Sequence, residues 1–426
     1  MKRSRPWMKL DNAALVYPAA RRRNWNALFR VSATLTEPVD KAVLRQALER
    51  TLKRIPTFAT RLRSGLFWHY LEHNDLPPEV QEDVSNPCVR MDFAANRHHM
   101  FRVRVYGGRI ALEVFHALAD GTGGLVFLKT LVAEYLSLRY GALIPRGEDI
   151  LDCDQPPDPG EKEDSFARFA RKSVRSRREP DAYALTGTPY RRGEVDVITG
   201  LIPVDAVLER ARACRATLTE YLTANLLLTA DAIQRQKVPS RRRRWVAVQV
   251  PVNLRRFYPT RTLRNFSSYV NPGFDPSYGE YSLREAVDIV RHHMGAEVTE
   301  KLMNAKFSAN VKPQRSRALQ VTPLFLKNWV IRMVFNQVGD RKSTTSLSNL
   351  GNQRLPEEMA RYVTRMDFLL GPLSRTKVAC AAVSYDDTLY LNFTRTIREP
   401  DLERNFFRRL VKLGIPVRIE SNRRFV

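Results

Sequence analysis

Cysteine is scarce in this chain. Cys88, Cys153, Cys214 and Cys380 are the only four among 426 residues. They are widely scattered, with no C-x-x-C pair and no zinc-ligand spacing, which argues against a disulfide framework and a structural zinc module. Free thiols in a reducing cytoplasm are the expected state. Long apolar runs are missing too, and no segment reaches the length needed to span a bilayer. The longest apolar stretch of the C-terminal half, residues 324–335, is interrupted by Lys327, Asn328 and Arg332. The basic N-terminus carries no continuous apolar core of a secretory signal. Acidic residues are outnumbered: 45 Asp and Glu face 70 Lys and Arg, a net charge of +25. Such an excess suits an anionic partner, whether nucleic acid, an anionic membrane surface or a phosphate-bearing ligand. No zinc knuckle, RNA-recognition signature or clear helix-turn-helix is present, so nucleic acid is not the expected partner. Arg21-Arg22-Arg23 and Arg241-Arg242-Arg243-Arg244 read as solvated basic segments.

What remains is an ordinary globular composition, 43% hydrophobic and 27% charged, in a chain long enough for two domains. Apolar residues alternate at Trp25, Ala27, Phe29 and Val31, which predicts a strand. Val43, Leu44, Ala47, Leu48 and Leu52 fall at helical spacing, and Pro56 ends that helix. Hairpins are expected over 58–71 and 100–115, with turns near Ser64-Gly65 and Gly107-Gly108. A helix is expected over 123–140, closed by Gly141. Residues 149–165, rich in Pro and acid, read as a linker or exposed loop. Thr217-Leu-Thr-Glu220 is a capping box that starts a long helix, and 283–303 also reads as helical. A hairpin over Asp386-Asp387 and a helix at 399–413 close the chain. There is no repeat at a fixed period and no regular βαβ alternation. The expected class is therefore α+β with mixed β-sheets flanked by helices.

One segment carries chemistry. His116-Ala-Leu-Ala-Asp120-Gly121 stands where an alternating strand pattern, 109–115, gives way to a helix. A strand exit holds a side chain rigidly while leaving it reachable, and a histidine there can take a proton near neutral pH. Asp120 could orient the imidazole, as in hydrolase triads. Gly121 suits close backbone approach or a positive φ. Gly123 and Gly124 do not complete a phosphate-binding G-x-G-x-x-G. The paired histidines His98-His99 and His292-His293 diverge in any regular structure. They have no acidic or cysteine block at metal spacing, and no metal is expected. Phe67, Trp68 and Tyr70 read as core aromatics.

The pattern H-x-x-x-D-G in this setting resembles the chloramphenicol acetyltransferase-like acyltransferases. Gly65-Leu-Phe-Trp-His-Tyr-Leu71, Pro251-Val-Asn-Leu-Arg255, Arg264-Asn-Phe-Ser267 and Ser348-Asn-Leu-Gly351 occur in the order and spacing of the alcohol O-acetyltransferase-like branch. The resemblance runs from about Trp7 to Asn422. It implies two domains of similar topology with an active-site tunnel between them: 1–150 carrying the motif, a linker and crossover at 151–194, and 195–426. It implies an acyl-CoA-dependent O-acyltransferase in which His116 is the general base and an alcohol or amine is the acceptor. Acyl-CoA is then a co-substrate, with no permanently bound cofactor. A basic channel mouth would steer its phosphates. The resemblance also implies that the aspartate turns away from the reacting centre and pairs with an arginine to brace its loop. Arg255 is the candidate partner. Ser346, Ser348 and Asn349 are candidates to hold the oxyanion, and strand alternation separates their faces. Two alternatives stand beside this reading. One is a condensation-like enzyme using an acyl carrier protein thioester. The other is a non-catalytic basic protein on the same fold.

Overall fold

The computed structural model describes residues 5–20, 27–171, 179–191, 193–335, 341–372 and 376–423. Trp25 and the run Arg21-Arg22-Arg23 lie outside the described residues.

The N-terminal part contains β1 (Trp7–Lys9), α1 (Val16–Ala20), β2 (Leu28–Leu35), α2 (Lys41–Arg54), β3 (Thr60–Ser64) and β4 (His69–His73). It continues with β5 (Val80–Glu82), β6 (Phe101–Tyr106), β7 (Arg109–Phe115) and α3 (Gly121–Tyr140). After α4 (Ser165–Phe169) come β8 (Asp196–Pro203), α5 (Val204–Ala213), α6 (Leu218–Lys237) and β9 (Val246–Asn253). Then follow β10 (Ser267–Val270), β11 (Gly273–Phe274), α7 (Leu283–Glu297), α8 (Glu300–Val311), α9 (Arg317–Val321) and α10 (Leu324–Val334). The chain closes through β12 (Thr345–Gln353), α11 (Glu357–Ala360), β13 (Val363–Leu370), β14 (Val378–Tyr385), β15 (Thr388–Arg395), α12 (Asp401–Lys412) and β16 (Arg418–Ser421).

These elements build two large mixed sheets and one small one. The first runs β13-β2-β7-β6-β5 and the second β10-β9-β12-β14-β15-β8-β16, with β11 on β9; β1-β4-β3 form a separate small sheet. Each large sheet carries one buried 20-residue helix, α3 on the first and α6 on the second. The local signals explain their limits. Asp120 caps α3, accepting from the Gly123 amide at 3.0 Å, and Gly141 ends it with φ of 66°. Thr217 and Glu220 form the capping box of α6.

Three features depart from the expected pattern. Helix 283–303 is two helices, because Thr299 caps a new one. The acidic stretch 149–165 is not merely a solvated loop. Glu161 is buried and makes a bidentate pair with Arg54 at 2.6 and 2.7 Å, closing the linker onto α2. Finally, β13 comes from far along the chain but lies antiparallel to β2 at the edge of the first sheet. It also packs against β14 and β15 of the second sheet, so this strand joins the two cores.

Candidate active site

His116 follows the last residue of β7, and its amide donates to the Ala27 carbonyl at 2.8 Å. The ring is half-buried, stacked on Tyr17 at 4.8 Å between centroids and edge-on to Phe29 at 5.2 Å. Tyr17 comes from α1, so a turn near the N-terminus forms one wall of the site.

The Nδ1 nitrogen of His116 lies 3.1 Å from Asn265 Oδ1. The Asn265 amide nitrogen donates to Asp11 Oδ2 at 3.2 Å. Asp11 therefore sets which way the Asn265 amide points, with its oxygen toward the imidazole. A proton on Nδ1 satisfies that oxygen, and Nε2 keeps its lone pair. Desolvation pushes the His116 pKa below the usual histidine value; the Asn265 bond and the Asp120 charge oppose it and do not cancel it. The imidazole is thus neutral at pH 7. Asp11 is buried, and burial raises its pKa to about 6 against the pull of Arg264, the Ala14 amide and Asn265. It is mostly ionised at neutral pH.

Asp120 turns the other way. Arg255 donates to both of its oxygens, at 2.8 and 3.2 Å, and the Phe266 amide donates to Oδ2 at 2.9 Å. Burial pushes the carboxyl pKa up, but the Arg255 charge and these hydrogen bonds outweigh it and hold it below the usual aspartate value. With both oxygens committed, Asp120 braces the start of α3 against the segment after β9. Arg255 also donates to the carbonyls of Thr262 at 3.0 Å and Arg264 at 2.6 Å, which folds 255–264 into a closed loop and presents Asn265. The guanidinium thereby ties the Asp120 brace to the residue that holds His116.

Gly121 does not take a positive φ. A Cβ there would stand 3.0 Å from a methyl of Leu350, the end of a flexible side chain. The stricter position is Gly123, where a Cβ would lie 2.0 Å from the Leu263 carbonyl oxygen. Close approach across the two units is the constraint, and it falls two residues later than the motif suggests.

Among the three oxyanion candidates, alternation along β12 separates the faces. Leu347 is buried in the second core under α6, and Asn349 shares its side, donating to Thr219 at 3.1 Å and accepting from the Gly351 amide at 2.8 Å. Ser346 and Ser348 take the opposite face with Leu350, which packs on the first core beside Gly121. Ser346 is buried, and its hydroxyl has no hydrogen-bond partner among the described residues. The same face continues onto Asn392 and Thr394 of β15, each with one buried polar atom likewise unpartnered. A polar wall therefore looks from the second sheet toward the first.

The sequence reading assigned no role to Asp11, Tyr17 or Asn265. Asn265 sits inside the quoted block Arg264-Asn-Phe-Ser267, which was the available signal. Asp11 and Tyr17 had none, because their contacts span 254 and 99 positions of chain respectively. Phe67, Trp68 and Tyr70, read as core, are not buried: Phe67 is exposed at the β3–β4 turn, Trp68 is half-buried under Lys327, and Tyr70 stands against Trp7. Among the described residues, no group of three or more His, Cys, Asp or Glu is placed to hold a metal ion.

Neither a protein-family model nor a curated protein sequence matches this chain. Solved structures do. Polyketide synthase associated protein 5 from Mycobacterium tuberculosis is 16% identical at a TM-score of 0.59, covering 95% of this chain and 97% of that one. TRI101 of F. graminearum, complexed with coenzyme A and deoxynivalenol, is 10% identical at a TM-score of 0.64, covering 94% and 96%. The starter condensation domain of rhizomide synthetase, a point mutant in complex with C8-CoA, is 13% identical at a TM-score of 0.59, covering 94% and 93%. This is the chloramphenicol acetyltransferase-like fold. At these identities the likeness is one of architecture, so the chemistry rests on the residues of this chain. In this fold His116 and Asp120 belong to the first sheet's unit, while Arg255, Asn265, Ser346 and Ser348 come from the second.

Proposed function

We propose that this protein is an acyl-CoA-dependent acyltransferase in which His116 removes the proton of an alcohol or amine acceptor. One observation carries the reading: a neutral histidine at a strand exit, with Nδ1 engaged by Asn265 and Nε2 left as the free base. The acceptor hydroxyl gives its proton to Nε2 as its oxygen attacks the thioester carbonyl. Ser346 and Ser348, on the face turned toward the first unit, are the donors offered to the tetrahedral oxyanion. Collapse breaks the carbon–sulfur bond, and the departing thiolate takes the proton back from the imidazolium. The two substrates meet between the units, and no acyl-enzyme is required. Asp120 and Arg255 hold the framework and do not touch the reacting atoms. The coenzyme A and C8-CoA complexes of the two fold relatives support CoA as the donor handle.

Replacing His116 with Ala should lower turnover by about 10²- to 10⁴-fold with the thermal transition unchanged. A purified variant with wild-type turnover would overturn the mechanism. The likeness to a synthetase condensation domain keeps a carrier-protein thioester as the second reading of the donor. Thermal stabilisation measured across acyl-CoAs and carrier-bound acyl thioesters separates the two: the true donor raises the melting temperature.

A further inference from the structure

Helix α10 is built inside out. Lys327 and Asn328 turn toward the protein, and the exposed Arg332 reaches back to it. Lys327 is only 4% exposed, donates to the Phe67 carbonyl at 2.9 Å, and stands 3.4 Å over the Trp68 ring. Asn328 meets His69 at 3.3 Å, and Arg332 donates to the Ala19 carbonyl at 3.2 Å. Its apolar side chains face outward in two adjacent rows at i, i+4 and i+8: Phe325, Trp329 and Met333, and beside them Leu326, Val330 and Val334. Phe325 is 71% exposed and Trp329 63%. The β3–β4 turn extends the surface, because the Leu324 amide donates to the Leu66 carbonyl and Leu66 is itself 73% exposed. A contiguous apolar face of this kind marks an interaction surface.

The charge around it selects the occupant. From Lys301 to Phe335 the chain carries no Asp or Glu; of its seven cations Lys327 is turned inward and Lys306 is paired with Glu179, which leaves those at 301, 312, 315, 317 and 332. Aromatic and aliphatic residues on one face of a helix embedded in an all-basic segment suit insertion into a lipid interface with attraction to acidic headgroups. At 11 residues, α10 is far too short to cross a bilayer and would lie in its plane. A protein partner would require an acidic rim around its own apolar groove. A bilayer supplies both the apolar layer and the negative charge without such a match.

We propose that the face made by α10 and the β3–β4 turn docks on an anionic lipid bilayer. Docking also bears on the site. Helix α10 packs on α1, and Tyr17 of α1 stacks on His116. The membrane-facing helix is thus one element removed from the imidazole. On the acyltransferase reading above, this arrangement points to a substrate taken from the membrane, a long-chain acyl donor or a lipid-borne alcohol.

The test is flotation of the purified full chain with vesicles of phosphatidylcholine alone and of equal parts phosphatidylcholine and phosphatidylglycerol. Binding is expected to the mixed vesicles, to weaken with salt, and to weaken at least about tenfold in the Phe325→Ser/Trp329→Ser double variant with an unchanged thermal transition. Brominated lipids should quench the indole of Trp329, read as the difference from Trp329→Phe. Absence of binding to mixed vesicles overturns the proposal, as does binding that the double variant does not weaken. A dimer in light scattering that Trp329→Ser dissolves, with no vesicle binding, also overturns it and gives the face to a second copy. Vesicle binding needs no turnover, so its failure is distinguishable from failure of the acyl-transfer reading.

Discussion

Asn265 Oδ1 lies 3.1 Å from His116 Nδ1, and that contact decides which imidazole nitrogen can act as a base. The amide is aimed by Asp11, 254 positions earlier in the chain. Asn265→Ala removes the acceptor and frees the ring. The expected result is a fall in kcat of about a hundredfold, with KM for both substrates little changed and the fold retained. Steady-state kinetics at saturating donor check it. A rise in KM with kcat unchanged would mean that Asn265 binds substrate rather than orients the base.

Asp11 should leave its mark on stability against pH. Its folded pKa of about 6 exceeds the unfolded value near 3.8. The folded state therefore holds that proton more tightly, and the stability this contributes is present below the unfolded value and lost as pH rises through about 6. His116 has the opposite sign. Its lowered pKa takes stability away as pH falls below the ordinary histidine value near 6.5. Asp11→Asn should remove the first effect, changing the difference in unfolding free energy by on the order of 3 kcal/mol between pH 4 and pH 7. Urea unfolding of both proteins across that range measures it. A difference that stays constant with pH would show that Asp11 does not titrate in this window.

The Arg255–Asp120 pair is a structural brace. Arg255→Ala leaves a buried carboxylate without its cation, and a loss of about 3–5 kcal/mol is expected. Replacing Asp120 with Asn as well should recover part of that loss, because the uncompensated charge is gone. Chemical denaturation of the single and double variants tests the coupling. If Arg255→Ala lowers turnover at wild-type stability, the guanidinium acts on substrate instead.

Ser346 and Ser348 face the first unit, whereas Asn349 is spent on Thr219 and Gly351. Substituting Ala for the serine that holds the oxyanion should lower kcat by about 10²- to 10³-fold. Asn349→Ala should act mainly through stability. Single-turnover rates of the three variants rank them, and an Asn349 variant slower than both serine variants would overturn the assignment.

Gly123→Ala should be far more damaging than Gly121→Ala. At Gly123 the added methyl meets the Leu263 backbone carbonyl, which cannot step aside without opening the contact between the units. At Gly121 it meets only the end of Leu350. Melting temperatures of the two variants compare them directly, and equal losses would contradict this account.

The local signals were legible without coordinates. Gly141 as a helix stop, the capping box at Thr217 and the hairpin turn at Gly107-Gly108 depend on neighbours a few residues away, and the chain states them directly. The motif H-x-x-x-D-G likewise placed a histidine at a strand exit, because the period changes there from two to that of a helix. What lay between distant segments was not legible. Whether Asp120 faces His116 or Arg255, that Ser346 and Ser348 rather than Asn349 face the first unit, and that Asp11 sets the Asn265 amide are relations across more than a hundred residues. They are decided by how two sheets pack. The apolar run 324–334 shows the same limit from the other side. In sequence it is an apolar stretch interrupted by Lys327, Asn328 and Arg332. Only packing against α1 and the β3–β4 turn, which turns Lys327 and Asn328 inward, puts Phe325 and Trp329 on the surface. Periodicity specifies a face, and the tertiary structure decides what that face meets.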